Sequence, residues 1–235
     1  MRLDVFLVTE KHIKSRSLAQ QLIQEGQVLI NEIPAVKPNT TVQPHDSVTI
    51  TELPRFVSRA GKKLEKALEY WNIQLSGKTV LDIGSSTGGF TDCALQHGAE
   101  KVMAVDVGTD QFDQKLRTDE RITLYEQTDI RDFTLDTPVD IIVCDVSFIS
   151  LHKIIPHLSR FIQKGVGVFL IKPQFEVGKD FLNKQGVVNN TEAVARCVEE
   201  VLNDMKKHGW RDLEVIDSPI LGGDGNREFL AHGTI

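Results

Sequence analysis

This sequence predicts an α/β protein with a small α+β unit at its front, and three observations carry that prediction. From Thr79 onward, short apolar runs of strand length alternate with stretches of helical periodicity. The first of those runs ends in a glycine-rich turn, Gly84-Ser85-Ser86-Thr87-Gly88-Gly89, which opens into a helical stretch. Before them lie about fifty residues with shorter elements and their own breaks, enough for only a marginal core. At 235 residues with 40% hydrophobic and 26% charged content, the chain has material for one ordinary core and a small second one.

In the front unit, Ser15 or Ser17 can cap a helix whose apolar residues Leu18, Leu22 and Ile23 recur at helical spacing, and Gly26 stops it. Gln27 to Asn31 alternates like a strand, and Asn31-Glu32 makes a polar turn. Val36-Lys37-Pro38 reads as an extended return, Pro44-His45 as a break, and Asp46 to Ile50 as a short closing strand. Leu53-Pro54 ends the regularity, which sets the organisation at residues 1–52, a linker at 53–59, and a larger domain at 60–235. A basic run, Arg55, Arg59, Lys62, Lys63 and Lys66, follows the break. Ala60 to Trp71 then reads as a helix with Leu64, Ala67, Leu68 and Trp71 on one face, leaving several of those cations opposite.

The larger domain begins with the buried strand Thr79 to Ile83, its glycine turn, and a helix through Phe90, Cys93 and Leu95 that stops at Gly98. Strand Lys101 to Asp106, a helix near Gln111 to Leu116, and strands Ile122 to Tyr125 and Val139 to Cys144 follow. A helix over Ser150 to Phe161, strand Val166 to Ile171 and helix Thr191 to His208 continue the alternation. Strands Leu213 to Ile216 and about Arg227 to Ala231 close it. Such an open sheet binds ligands at the C-terminal edge of its strands.

Composition excludes several classes of function. The formal net charge of −6 excludes a globally basic nucleic-acid binder, although residues 1–59 hold seven basic against six acidic residues. The cluster Lys11-His12-Ile13-Lys14-Ser15-Arg16 at a helix entrance suits a phosphate, or is simply a solvated charged face. No apolar run approaches the roughly 20 residues that span a bilayer, and the start of the chain does not read as a signal peptide. Cys93, Cys144 and Cys197 fit neither a disulfide framework nor a zinc site, and read as buried thiols of a cytoplasmic protein. No metal site is expected.

The glycine turn has the spacing Gly84-x-x-x-Gly88-Gly89, which is neither the dinucleotide pattern GxGxxG nor a phosphate loop ending in Gly-Lys-Ser/Thr. Asp82, two positions earlier, disfavours a pyrophosphate and suits a cationic sulfonium or amino group. Asp106, beside Val107, ends the next strand where a carboxylate can accept ribose hydroxyls. Asp129-Ile130 follows the third strand, where it can frame an adenine edge. Together with Gly84, Ser85, Ser86, Gly88, Gly89 and Phe90 these residues predict an S-adenosylmethionine site, with Asp145 beside the methyl group.

The strand ending Val143-Cys144-Asp145-Val146-Ser147-Phe148 lacks the Asp/Asn-Pro-Pro-Tyr/Phe tetrad of N-methyltransferases, and Cys144 has no neighbouring proline that would mark a base-attacking thiol. Lys172 closes an otherwise apolar strand, a costly place for a lysine unless it is paired or functional. Lys63, Asp145, Lys172 and Glu228 are two cations and two anions at element ends. They can form two structural ion pairs, or a site that activates a ribose 2′-hydroxyl.

Two resemblances bear on these alternatives. Arg2-Leu3-Asp4-Val5-Phe6-Leu7-Val8, Lys14-Ser15-Arg16-Ser17 and Gln24 to Asn31 resemble the RNA-binding module of ribosomal protein S-four over residues 1 to about 52. This implies that Arg2, Lys11, Ser15 and Arg16 face structured RNA, and Arg55 and Arg59 in the basic run join them as candidates. Val57 to Leu64, Asp82 to Thr91, Asp145 to Ser150 and Lys172 to Gly178 are similar to the TlyA family, first named as hemolysins. That resemblance implies a Rossmann-like methyltransferase domain of the FtsJ (RrmJ) type acting on ribose 2′-hydroxyls of ribosomal RNA or a ribosomal subunit. It also implies a catalytic tetrad of Lys63, Asp145, Lys172 and Glu228, with Lys172 activating the hydroxyl and Lys63 positioning the ribose. Arg55-Phe56-Val57 resembles a short interdomain element tied to cofactor binding. The start directly at Arg2 implies action on a large-subunit cytidine alone. A membrane-damaging hemolysin would need an inserting amphipathic or apolar helix, and a non-catalytic assembly factor would have lost Asp82, Gly84, Asp106 or the tetrad; the sequence shows neither.

Overall fold

Two units, Met1–Arg55 and Phe56–Ile235, make up the computed structural model, which describes residues 1–235. The division falls inside the stretch read as linker. Phe56 itself is buried and packs so closely on Gly61 that no side chain would fit there, so the second unit starts earlier than its helical periodicity indicates.

The first unit has helices α1 (Leu3–Thr9) and α2 (Arg16–Gln24) and a sheet of β1 (Val28–Ile30), β2 (Ile33–Pro34) and β3 (Val48–Ile50), in the order β2-β1-β3. Helix α1 is an addition to the sequence reading; Leu3 and Leu7, one turn apart, are both fully buried in this unit's core. Of the two candidate caps it is Ser15 that serves, its Oγ accepting from Leu18 N at 3.2 Å. The return strand lies at Ile33–Pro34 and not at 36–38. Asn31 and Glu32 both have positive φ, which folds the chain straight back so that Ile30 faces Ile33.

A buried carboxylate organises the unit's polar side. Asp4 accepts from Arg2 Nε and Nη2, both at 3.0 Å, from Arg16 Nη2 at 2.8 Å and from Gln20 Nε2 at 3.2 Å. Its bonds to Arg2 and Arg16 hold it well below the usual carboxylate range. Arg2 and Arg16 remain half exposed, and Lys11 and Arg55 are exposed, whereas the Ser15 hydroxyl is engaged as the cap.

The second unit opens with α3 (Ala60–Tyr70), followed by β4 (Thr79–Ile83), α4 (Gly89–Gln96), β5 (Lys101–Val105), α5 (Gln114–Arg117), β6 (Ile122–Tyr125) and β7 (Ile141–Cys144). After β8 (Val166–Ile171) come α6 (Pro173–Glu176), α7 (Thr191–Lys207), β9 (Arg211–Asp217) and β10 (Phe229–Thr234). The sheet order is β6-β5-β4-β7-β8-β10-β9, with β10 antiparallel to both its neighbours and the other pairings parallel. Beginning at β4, the chain runs outward through β5 and β6 and then returns to β7 on the other side, which opens a crevice at the C-terminal end of β4.

One core cluster includes Leu81, Ile142, Phe169 and Trp210, and a second includes Leu64, Val80, Phe90 and Leu230. The helix expected over 150–161 is instead two 3₁₀ segments, Leu151–Lys153 and Ile155–Arg160. Pro156 has no N–H to donate and its ring crowds the preceding turn, which breaks an α-helix there. The three cysteines are buried, as their spacing suggested, and burial pushes the Cys144 thiol up, away from any nucleophilic role. No helix is long and apolar enough to cross a membrane.

Candidate active site

The crevice beside β4 holds two adjoining clefts, of about 500 Å³ and about 220 Å³. Its geometry starts at Gly84, which ends β4 with φ +81° while its backbone lies against Asp145 and Val146. A Cβ on Gly84 would sit 2.7 Å from the Asp145 carbonyl oxygen, so this residue lets the glycine turn and the β7 loop approach closely. Gly88 and Gly89 have packing duties: a Cβ on the first would meet Leu116 Cδ1 at 2.5 Å, and one on the second would collide with Ser58. Phe90 is buried in the core beneath the turn and reaches the smaller cleft.

Asp106 joins the two lips of the larger cleft. Its Oδ2 accepts from Ser86 N at 2.8 Å and its Oδ1 from Gly108 N at 2.7 Å, while Ser86 Oγ donates to Gln111 Oε1 at 3.1 Å. The floor is apolar, with Ile83, Val105, Ile130 and Ile154, and Asp106, Asp129 and Asp145 stand around it. Hydrogen bonds from Arg131 hold Asp129 ionised, with its carboxyl lowered to about 2. Val107 is 71% exposed and Phe148 92% exposed, two large apolar side chains bare on the cleft wall. Ser85 Oγ is buried in the smaller cleft without a partner.

These features fit S-adenosylmethionine. An apolar floor suits adenine, Asp106 is placed for ribose hydroxyls, and the surrounding carboxylates suit a cationic sulfonium and ammonium while repelling a pyrophosphate. Asp82 departs from the sequence expectation of a carboxylate facing the ligand. It is wholly buried and lines neither cleft, with Thr91 Oγ1 donating to its Oδ2 at 2.6 Å and its Oδ1 left unpartnered. Burial pushes its carboxyl up to about 7, helped by the charges of Asp145 and Asp106.

Because the folded chain keeps that proton where the unfolded chain releases it, Asp82 lowers stability progressively as pH rises from about 4 to 7. Asp82→Asn, which keeps the Thr91 bond and carries no charge, is therefore expected to raise Tm at pH 8 by roughly 5 °C and at pH 4 hardly at all. Thermal unfolding at the two pH values reads this directly; equal shifts would contradict the burial argument.

The four residues expected to form a tetrad lie at one edge of the sheet as two ion pairs. Lys172 Nζ lies 2.6 Å from Asp145 Oδ1 and donates to Ser147 Oγ at 2.7 Å; Lys172 and Asp145 line the smaller cleft. Lys63 Nζ donates to Glu228 Oε2 at 2.5 Å, both nearly buried, and neither lines that cleft. Lys63 is thus an exception to the predicted solvent face of cations on α3, because Glu228 arrives beside it just ahead of β10. Phe229 pairs with Ile171, which sets Glu228 level with Lys172 at the strand ends. Ser147, Phe148, Gln111 and Glu176 were not singled out from sequence; Phe148 carries a left-handed φ of +64° and its ring meets Phe175 at 5.2 Å. No group of three or more His, Cys, Asp or Glu side chains is arranged to hold a metal.

Comparison with known proteins agrees with this geometry. The FtsJ-like methyltransferase family matches residues 56–234 and the S4 domain family residues 1–48. The chain is 40% identical to the 16S/23S rRNA (cytidine-2′-O)-methyltransferase TlyA of Mycobacterium tuberculosis, over 97% of this chain and 88% of that one. It is 36% identical to the 23S rRNA (cytidine-2′-O)-methyltransferase TlyA of Campylobacter jejuni, over 98% of both. A solved structure from Streptococcus thermophilus, provisionally named a hemolysin, is 37% identical and superposes with a TM-score of 0.78 over all of this chain and 88% of its own. An S-adenosylmethionine-dependent methyltransferase from Mesorhizobium loti shares the fold alone, with a TM-score of 0.55 and 14% identity over 72% of this chain and 96% of its own. The two lengthwise matches, the S-adenosylmethionine cleft and the α/β sheet agree: this chain belongs to the FtsJ-like methyltransferase family, as an S4-domain-bearing member of its TlyA group.

Proposed function

We propose that the protein transfers a methyl group from S-adenosylmethionine to the ribose 2′-hydroxyl of a cytidine in ribosomal RNA, with Lys172 at the reacting oxygen. The observation that carries this reading is the Lys172–Asp145 pair at the wall of the smaller cleft, next to the candidate cofactor cleft. An ammonium has three N–H donors. Ser147 Oγ engages one here and Asp145 is held by the ion pair without an aligned hydrogen bond, which leaves an N–H for a substrate oxygen. When bound, the cofactor supplies an electrophilic methyl group on a sulfonium.

The chain's own residues do the rest. Gly84, Ser85, Ser86, Asp106, Val107, Asp129 and Ile130 hold the cofactor, with Gly88, Gly89 and Phe90 fixing the turn, and Asp82 acting from beneath it. Lys172 Nζ meets the 2′-hydroxyl; once it has passed a proton to Asp145, the neutral amine accepts the hydroxyl's proton and, an ammonium again, stabilises the charge that develops on the oxygen. The Lys63–Glu228 pair holds α3 and the β10 entrance at the ribose. Phe148, bare beside the cleft, offers a stacking face for a base drawn out of its helix. Arg2, Lys11 and Arg16 of the first unit, with Arg55 and Arg59, neutralise RNA phosphates, and Asp4 fixes two of those arginines in place.

The relatives bearing this name act on cytidines of 23S or of 16S and 23S rRNA. Ribose-methylation mapping by mass spectrometry on naked rRNA, separate subunits and assembled ribosomes tests the proposal. A single methylated cytidine ribose per rRNA target is expected; methylation of a base, or of no ribose on any substrate, would overturn it. Vesicle leakage that proceeds without cofactor would instead support the hemolysin name.

A further inference from the structure

The loop after β7 carries Asp145, Ser147 and Phe148, and the segment after β8 carries Lys172, yet Lys172 is only one of two polar ties between them. The second is Glu176 at the end of α6. Its Oε2 accepts from Ser150 Oγ at 2.6 Å, and its Oε1 accepts from Leu151 N at 2.9 Å, the first residue of a 3₁₀ turn. Ser150 Oγ in turn accepts from His152 N at 3.2 Å. From these contacts we propose that Glu176 is a positioning residue for methyl transfer, clamping the β7 loop so that Asp145 and Ser147 meet Lys172. The inference rests on the reading of Lys172 given above and deepens it.

The two ties act as rungs. Lys172 reaches Asp145 and Ser147 at one end of the loop, and Glu176, four residues on, reaches Ser150 and Leu151 at the other. Between them the Phe148 and Phe175 rings meet at 5.2 Å. The span between the rungs includes Phe148 in a left-handed conformation that a phenylalanine rarely adopts. Such a conformation persists where the surrounding structure over-determines it, and here the loop is tied at both ends. Glu176 does this with neutral donors alone, so its carboxylate does not compete with Asp145 for the lysine. With the second rung absent, the loop can relax at Phe148, and Asp145 and Ser147 move with it. A shift of about 1 Å at a reacting group costs on the order of 10²-fold in rate.

A purely structural capping role would show itself as lost stability and lost cofactor binding together. A positioning role lowers kcat far more than it changes either. A glutamine at this position keeps an acceptor for Leu151 N and can donate to Ser150 Oγ, so it should retain the clamp, whereas alanine removes both bonds.

The experiment uses the full chain with S-adenosylmethionine and an rRNA substrate. Glu176→Ala is expected to lower kcat by about 100-fold. KM for RNA and Tm should stay within about twofold or a few degrees of the parent, and the calorimetric Kd for S-adenosylmethionine, whose cleft the same loop lines, should rise only several-fold, far less than kcat falls. Glu176→Gln is expected to recover most of kcat. Ser150→Ala removes one bond of the clamp and should lower kcat several-fold, which keeps the test available if Glu176→Ala does not fold. The proposal is overturned if Glu176→Ala keeps kcat near the parent value, or if alanine and glutamine variants lose cofactor affinity and Tm in parallel. Lys172→Ala separates the two layers: activity retained there sinks the reading of the site, while an inactive Lys172→Ala beside a fully active Glu176→Ala sinks only the clamp.

Discussion

Lys172→Ala is expected to lower methyl transfer by about 10³-fold, the scale of losing a proton-transfer and charge-stabilising group. Binding of S-adenosylmethionine should survive, because the larger cleft is lined by other residues and Lys172 touches only the smaller one. The size of the effect follows from where the lysine sits. It is 9% exposed, and its Nζ is fixed between Asp145 Oδ1 and Ser147 Oγ, so no other cation reaches that carboxylate in its place. Asp145 Oδ1 is buried without an aligned hydrogen bond, and this ion pair is what offsets its charge. Lys172→Arg should also be nearly inactive, since a planar fork cannot place one compact donor between the same two oxygens. Single-turnover transfer from radiolabelled cofactor, paired with calorimetric binding, measures both halves. Full activity in Lys172→Ala removes Lys172 from the mechanism, and loss of binding together with activity assigns it to cofactor retention.

Gly84→Ala should be the most damaging small substitution among the glycines of positive φ in the second unit. Its φ of +81° imposes about 1–2 kcal/mol of left-handed strain on any residue with a Cβ. The added carbon would lie 2.7 Å from the Asp145 carbonyl oxygen and 3.0 Å from Val146 Cα, which are backbone atoms of the next strand's loop. Neither side yields easily: Gly84 N donates to Val105 O at 2.9 Å, and Asp145 N donates to Ile83 O at 2.9 Å. Overpacking of this kind costs about 1–3 kcal/mol, for a total of roughly 3 kcal/mol. Separation of the two loops should also weaken S-adenosylmethionine binding about tenfold or more. Gly77→Ala is the control, with φ +69° and nothing within 4 Å of the added Cβ, so it carries the strain without the clash. Denaturant unfolding of both variants checks the difference; equal destabilisation would show that the close approach at Gly84 contributes nothing.

Much of the candidate site was legible in sequence for identifiable reasons. A lysine ending the apolar run Val166–Ile171 stands out because burial of an unpaired cation is costly, and Lys172 is paired. Asp106 and the glycine turn were legible because strand, turn and helix succeed one another within a few residues. Asp82 was legible as a carboxylate and misplaced as a ligand: its position two residues before Gly84 puts it in the strand, under the turn, where Thr91 meets it from α4. Phe148 was read only as part of a strand end, and its exposure was not visible. Its neighbours Val146 and Ile149 are apolar, and local pattern cannot tell a buried phenylalanine from one that is 92% exposed. The 3₁₀ segments at 151–160 were hidden for another reason, since apolar spacing around Pro156 imitates an α-helix.

By itself the sequence determined the succession of elements, the two-part organisation, the glycine turn and the chemical types at each strand end. These depend on periodicity and backbone preferences that act over a few residues. Only the tertiary structure decided which cation meets which anion. Lys63 and Glu228 are separated by 165 positions, and they pair because β10 inserts antiparallel between β8 and β9 and brings Glu228 to the strand ends level with Lys172. Lys172 then falls to Asp145 and Ser147, and Glu176 to Ser150 and Leu151, because β7 and β8 are neighbours in the sheet. Sheet order is set by the burial of whole faces, which no local stretch of residues encodes, and that order decides that two lysines and two acids meet as the pairs Lys63–Glu228 and Lys172–Asp145.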